Sequence, residues 1–178
     1  MATISQQEIT EALERLGQLA FAKDYKVELV LIGGALMVLA YGTRQSTRDV
    51  DAVIIAPRDA RLVRELVKIV AVERNWPEDW LNDAAKGYLV GLSAGPLIIA
   101  APGIEVRSPA VPQLLAMKLS AWRDDVDIAD ARRLLEELGS ALGRDATWEV
   151  VQPFLVPGNE LKAQYAFADL WESLYGNA

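Results

Sequence analysis

The sequence predicts an α/β chain of the α+β kind, with a small mixed sheet flanked by helices and a helical C-terminal part. Three observations lead there. Apolar runs of strand length, Val27–Ile32 and Val50–Ile55, alternate with amphipathic stretches of helical length. Short apolar runs punctuated by Gly and Pro come next, and from Pro109 onward the periodicity is helical throughout. With 178 residues, 52% of them apolar, the chain can bury one core, or one core and a helical annex. The expected division is an α/β core over 1–108 and a helical subdomain over 109–178 packed on it.

Taken in order, Ser5 and Glu8 have the spacing of a capping box, and Ile9, Leu13, Leu16 and Leu19 then recur at helical intervals to about Lys23. Val27–Ile32 is continuously apolar apart from Glu28 and reads as a buried strand, and Ala35–Tyr41 reads as a helix after Gly33-Gly34. Val50–Ile55 is the next strand. Pro57-Arg58-Asp59 opens a helix whose apolar set is Leu62, Leu66, Ile69 and Val70, ending near Asn75. Pro77–Asn82 reads as a short helical turn, and Tyr88–Ser93, Leu97–Ala101 and Ile104–Val106 as short strands. Val111–Trp122, Val126–Leu138, Thr147–Leu155 and Glu160–Tyr175 are helical, with breaks at Gly139, Gly143 and Pro157-Gly158.

Composition narrows the chemistry. There is no Cys and no His, so disulfides, thiol nucleophiles, the usual zinc sites, Ser-His-Asp triads and histidine bases are excluded. Carboxylates, hydroxyls, Lys and Arg remain. The formal charge of −7 disfavours broad binding to a nucleic-acid backbone, although Arg44, Arg48, Arg58, Arg61, Arg64 and Lys68 concentrate locally and suit a triphosphate. No apolar run has membrane-spanning length, and the first residues lack a basic stretch followed by an apolar one. The expectation is a cytoplasmic protein with no membrane partner.

The chemistry concentrates between residues 31 and 54. Gly33-Gly34 closes one apolar run, and Asp49-Val50-Asp51 opens the next. Glycine lets a phosphate come close to the backbone, and backbone N–H groups at a helix start favour an anion. Residues 49 and 51 alternate along a strand, so their carboxylates share one face and can cradle magnesium. Taken singly, the glycines also fit a tight turn, Asp49 a strand-start cap and Asp51 a solvent-facing edge position. Their joint spacing points to a metal-nucleotide site.

Gly33-Gly34, Arg44-x-x-Thr47-Arg48-Asp49-Val50-Asp51, Leu114–Leu119 with Lys118, Arg123, and Asp127-x-x-Asp130 together resemble the minimal nucleotidyltransferases of the DNA polymerase beta superfamily. Within that group the chain is similar to the AbiEii-type toxins and related nucleotidyltransferase-like domains, over roughly residues 27 to 138. The resemblance implies that Gly33 and Gly34 contact nucleotide phosphates and that Asp49 and Asp51 bind Mg2+ or Mn2+. It further implies that Lys118 meets the phosphates and that Asp127, with Asp130 as the alternative, is the late acidic residue. Arg48 suits the carboxylates or a bidentate contact to phosphate, and equally an ordinary surface charge. Many relatives carry a third carboxylate on a later strand; here Glu105 is the candidate, and without it one metal suffices or the domain is a weak catalyst or a binding module. The implied reaction moves a nucleotidyl group from a nucleoside triphosphate to a hydroxyl of a tRNA, a protein or a small molecule such as an antibiotic. A cognate antitoxin is an implied partner if the toxin resemblance holds.

Overall fold

The computed structural model describes residues 3–93 and 95–176. The chain divides into two compact units: Met1–Lys86 with Gly95–Ser108, and Gly87–Ala94 with Pro109–Ala178. The architecture is α+β, as expected.

The first unit holds β1 (Ile4–Ser5), α1 (Gln6–Phe21), β2 (Val27–Ile32), α2 (Gly33–Leu36), β3 (Ser46–Thr47), β4 (Val50–Ala56), α3 (Ala60–Arg74), β5 (Leu81–Asn82), β6 (Leu97–Ala101) and β7 (Ile104–Arg107). Its main sheet has the order β5-β4-β2-β7-β6. β2 is central because Val-Glu-Leu-Val-Leu-Ile is apolar on both faces, and five of its six residues are buried. It runs antiparallel to β4 and parallel to β7. β1 and β3 pair separately.

The capping box forms at the start of α1, with the Ser5 N–H donating to Glu8 Oε2 at 2.8 Å and the Glu8 N–H to Ser5 Oγ at 3.4 Å. α1 lies flush on the β6–β7 hairpin because two glycines meet there. A Cβ on Gly103 would stand 2.0 Å from the Gly17 carbonyl oxygen, and Gly103 has φ +79°, as the third position of the Pro102-Gly103 turn requires.

Several elements differ from the sequence reading. α3 turns Val63, Leu66, Val67, Val70 and Ala71 inward, leaving Leu62 and Ile69 each 39% exposed. That five-member stripe is capped by Trp80, whose indole N–H donates to the Val67 carbonyl at 3.0 Å. The residues after Leu36 wind as a π-helical turn, Met37–Tyr41, which Gly42 ends. Residues 81–82 form a strand instead of continuing the turn of Pro77–Trp80, because they pair with Val50 and Asp51 of β4.

The second unit holds α4 (Val111–Ala121), α5 (Asp125–Leu142), α6 (Arg144–Val151) and α7 (Glu160–Tyr175). Tyr88–Ser93, read as a strand, is not one. The fully buried Gln113 of α4 takes that segment's polar groups: its amide donates to the Val90 and Gly91 carbonyls at 2.8 and 3.2 Å, and its Oε1 accepts from the Ser93 N–H at 2.8 Å. α5 continues through Gly139, where a break was expected. Gly139 is a packing position: a Cβ there would stand 2.9 Å from the Tyr175 hydroxyl and 3.0 Å from the Trp171 ring. α7 turns Phe167 and Trp171 inward, and rings of Trp148, Phe167, Trp171 and Tyr175 follow one another at 5.1, 5.8 and 4.5 Å. Among the described residues no helix is long and apolar enough to cross a membrane.

Candidate active site

The antiparallel register of β2 and β4 sets Ile32 opposite Asp51. The chain leaving β2 therefore turns at Gly33 beside the Asp51 carboxylate. A Cβ on Gly33 would lie 2.7 Å from Asp51 Oδ2, and its φ of +66° is one that L side chains rarely adopt. A Cβ on Gly34 would lie 2.6 Å from the Thr47 hydroxyl and 3.1 Å from Arg44 Nη1. The glycine pair is thus bordered by a carboxylate, a hydroxyl and a guanidinium, and a side chain at either position would have to displace them. No side chain caps the start of α2.

β4 begins at Val50, so Asp49 stands in the bend just before the strand and not on it. Its position is held from β5. The Asn82 amide donates to Asp49 Oδ2 at 3.3 Å, while Asn82 Oδ1 accepts the Ala84 N–H at 2.8 Å. The same turn delivers the Ala85 N–H to Asp51 Oδ1 at 3.1 Å. Both acidic residues are half-buried. Together they offer hard oxygen donors of the kind that Mg2+ and Mn2+ prefer.

Of the other residues expected in this region, Arg48 is exposed, and it is Arg44 that lies at Gly34. Glu105 does not join the pair. It stands opposite Glu28 on β2, four positions back from Ile32, which is about 13 Å along the strand. Its carboxylate is taken by Lys26 at 2.6 Å and Arg107 at 3.8 Å, and the hydrogen bond from Lys26 holds it below the ordinary glutamate range. Among the described residues no three acidic side chains converge as a metal cage.

The helical unit carries a second cluster. Lys118 Nζ on α4 reaches Asp127 Oδ1 at 3.0 Å and Asp130 Oδ2 at 2.7 Å on α5, where two acids three residues apart share a face. Arg123 closes the set, its Nε donating to Asp127 Oδ2 at 3.0 Å while its guanidinium lies 5.8 Å from the Tyr88 ring centre. Two positive and two negative charges balance. Burial pushes the Asp127 carboxyl up, but hydrogen bonds from Arg123 and Lys118 and the lysine charge outweigh it and leave the group below the usual aspartate range. Asp124 caps α5 by accepting the N–H groups of Val126 and Asp127.

A family model described as a nucleotidyltransferase of unknown function (DUF6036) matches residues 7–139. The chain belongs to that family. The matched span takes in the glycine pair, both acidic residues, Asn82 and the whole Lys118 cluster. No curated protein and no solved structure matches the chain.

Sequence reasoning did not single out Asn82, which the structure sets against Asp49, or place Arg44 beside Gly34. Arg44 and Thr47 carried a signal in their spacing ahead of the acidic pair. Asn82 carried none, because its place depends on a two-residue strand pairing across 31 positions of sequence.

Proposed function

We propose that this protein is a metal-dependent nucleotidyltransferase that moves a nucleotidyl group from a nucleoside triphosphate to an acceptor hydroxyl. The oxygen of the acceptor forms a bond to the α-phosphorus, the bond from that phosphorus to the bridging oxygen breaks, and pyrophosphate leaves with the electron pair. Family membership supports the reaction class. The observation that carries the site is the Asp51 carboxylate lying where a Gly33 side chain would be, which sets the side-chain-free backbone of the glycine pair directly against the acidic pair.

Asp49 and Asp51 would hold Mg2+ or Mn2+. When bound, that cation neutralises phosphate charge and orients the reacting oxygens. Gly33 and Gly34 let the triphosphate approach the backbone, and Arg44 and Thr47 supply a positive charge and a hydroxyl next to it. The resemblance to the AbiEii-type toxins extends the proposal to a protein or tRNA acceptor and a cognate antitoxin; a small molecule such as an antibiotic is the alternative acceptor. Lys118 enters differently from the family expectation. Its ammonium is shared by two buried carboxylates, so its proposed part is to hold Asp127 and Asp130 in place instead of meeting phosphate.

A second reading, a nucleotide-binding domain without turnover, is favoured by one observation: no third carboxylate stands beside the pair among the described residues. Calorimetric titration of ATP, GTP, CTP and UTP with Mg2+ into the wild type and the Asp49→Ala/Asp51→Ala variant tests the site. Binding by the wild type alone supports it, and incubation of the bound nucleotide with candidate acceptors separates the two readings by release of pyrophosphate. Equal binding by both proteins, or none by either, would refute the proposal.

A further inference from the structure

Asn82 stands beside both members of the acidic pair. It is the residue of β5 opposite Asp51, and its side chain reaches across to Asp49, so it touches the environment of both carboxylates. Its orientation is determined from two sides. The Ala84 N–H requires the oxygen, and the Asp49 carboxylate requires the N–H2 group, which also donates to the Asp79 carbonyl at 3.3 Å. The tight turn that this oxygen closes is what brings the Ala85 N–H onto Asp51. One neutral side chain thereby orients both members of the acidic pair.

We propose that Asn82 is the positioning residue of the carboxylate pair and occupies the third corner of the cation site, an inference that rests on the metal-nucleotide reading above. With a neutral amide at that corner, the protein offers a divalent cation two carboxylates. That is a weak site for a bare ion and a sufficient one for an ion already carrying a triphosphate. The cation is therefore expected to bind together with nucleotide and not before it.

The test uses the full chain and the excess Mn2+ held on the protein side in equilibrium dialysis, titrated with and without a non-hydrolysable α,β-methylene nucleoside triphosphate present on both sides. Wild type is expected to take up Mn2+ only with the nucleotide. Asn82→Ala removes both the donor and the turn, and is expected to weaken that uptake about tenfold, in the range found for residues that orient metal ligands. Asn82→Asp keeps the acceptor for the Ala84 N–H, so it keeps the turn. It supplies a third carboxylate, and is expected to bind Mn2+ without nucleotide and at least tenfold more tightly than wild type. Both variants staying within twofold of wild type would overturn the inference. So would a loss in Asn82→Ala without a gain in Asn82→Asp, which would make Asn82 a residue of the fold alone. If wild type takes up no Mn2+ even with nucleotide, the metal-nucleotide reading itself fails and the inference falls with it, an outcome visible before either variant is made.

Discussion

Replacing Lys118 by Met keeps the length and most of the volume of the side chain and removes only its charge. The ammonium is 11% exposed and its partners Asp127 and Asp130 are 3% and 1% exposed, so water does little to replace what is lost. Two charge-assisted hydrogen bonds at about 1.5–3 kcal/mol each give about 3–6 kcal/mol. Breaking a buried ion pair by deleting one partner gives about 3–5 kcal/mol, in agreement. For a chain of this size that corresponds to a fall in Tm of roughly 6–20 °C. Lys118→Met/Asp130→Asn also removes one of the stranded charges, so the double variant is expected to lose less than the sum of the singles by about 1–3 kcal/mol. Urea unfolding followed by tryptophan fluorescence and circular dichroism measures both. Nucleotide affinity, measured well below the melting transition, is expected to change less than twofold. A loss of under about 1 kcal/mol with a tenfold loss of nucleotide affinity would refute the reasoning, because the functional partner of the ammonium would then be phosphate and not the two carboxylates.

Gly33→Ala should cost about 1–2 kcal/mol in backbone strain and abolish nucleotide binding, because its methyl group displaces the Asp51 carboxylate; calorimetry and a thermal melt check both. Glu105→Gln should leave metal-nucleotide affinity within twofold of wild type, since its carboxylate is taken by Lys26 and Arg107, and a tenfold loss in the same titration would return Glu105 to the site. Because the Asp127 carboxyl is held below its unfolded value, it stabilises the fold at all pH above the unfolded pKa of about 4, and that contribution disappears as pH falls through the lower folded value. Urea unfolding from pH 7 to pH 2.5 should therefore show a steeper acid decline in the wild type than in Asp127→Asn.

The fold was legible where local physics decides it. The capping box of Ser5 and Glu8, the largely apolar β2 and the helix over 160–175 all stand where periodicity places them. What escaped depends on distant partners. Gly139 reads as a helix end in one dimension and is a contact for Trp171 and Tyr175 in three. Tyr88–Ser93 has strand composition, yet a single glutamine 20 residues on from Ser93 takes its hydrogen-bonding groups. Within the candidate site, the closeness of the glycine pair to Asp51 was readable, because the glycines end one strand and the acids open its antiparallel neighbour. That Arg44 lies beside Gly34 while Arg48 is exposed was not readable, because a loop, whose course no periodicity specifies, brings the Arg44 guanidinium back to Gly34. The resemblance singled out Lys118, Asp127 and Asp130 one by one, with Lys118 expected on phosphate, and that one ammonium serves both acids follows only from the α4–α5 packing.

The grip of Gln113 on residues 90–93 bears on how this protein can be cut and recombined. The chain passes from one compact unit to the other after residue 86, after residue 94 and after residue 108, so neither unit is a continuous stretch of sequence. A fragment ending at residue 108 would keep the Val90 and Gly91 carbonyls and the Ser93 N–H while discarding the side chain that binds them. Neither half can be exchanged as a cassette by one crossover. Recombination with a relative is tolerated only where the donor brings the 87–94 segment and the start of α4 together, which ties the inheritance of a loop to that of a helix lying outside the sheet.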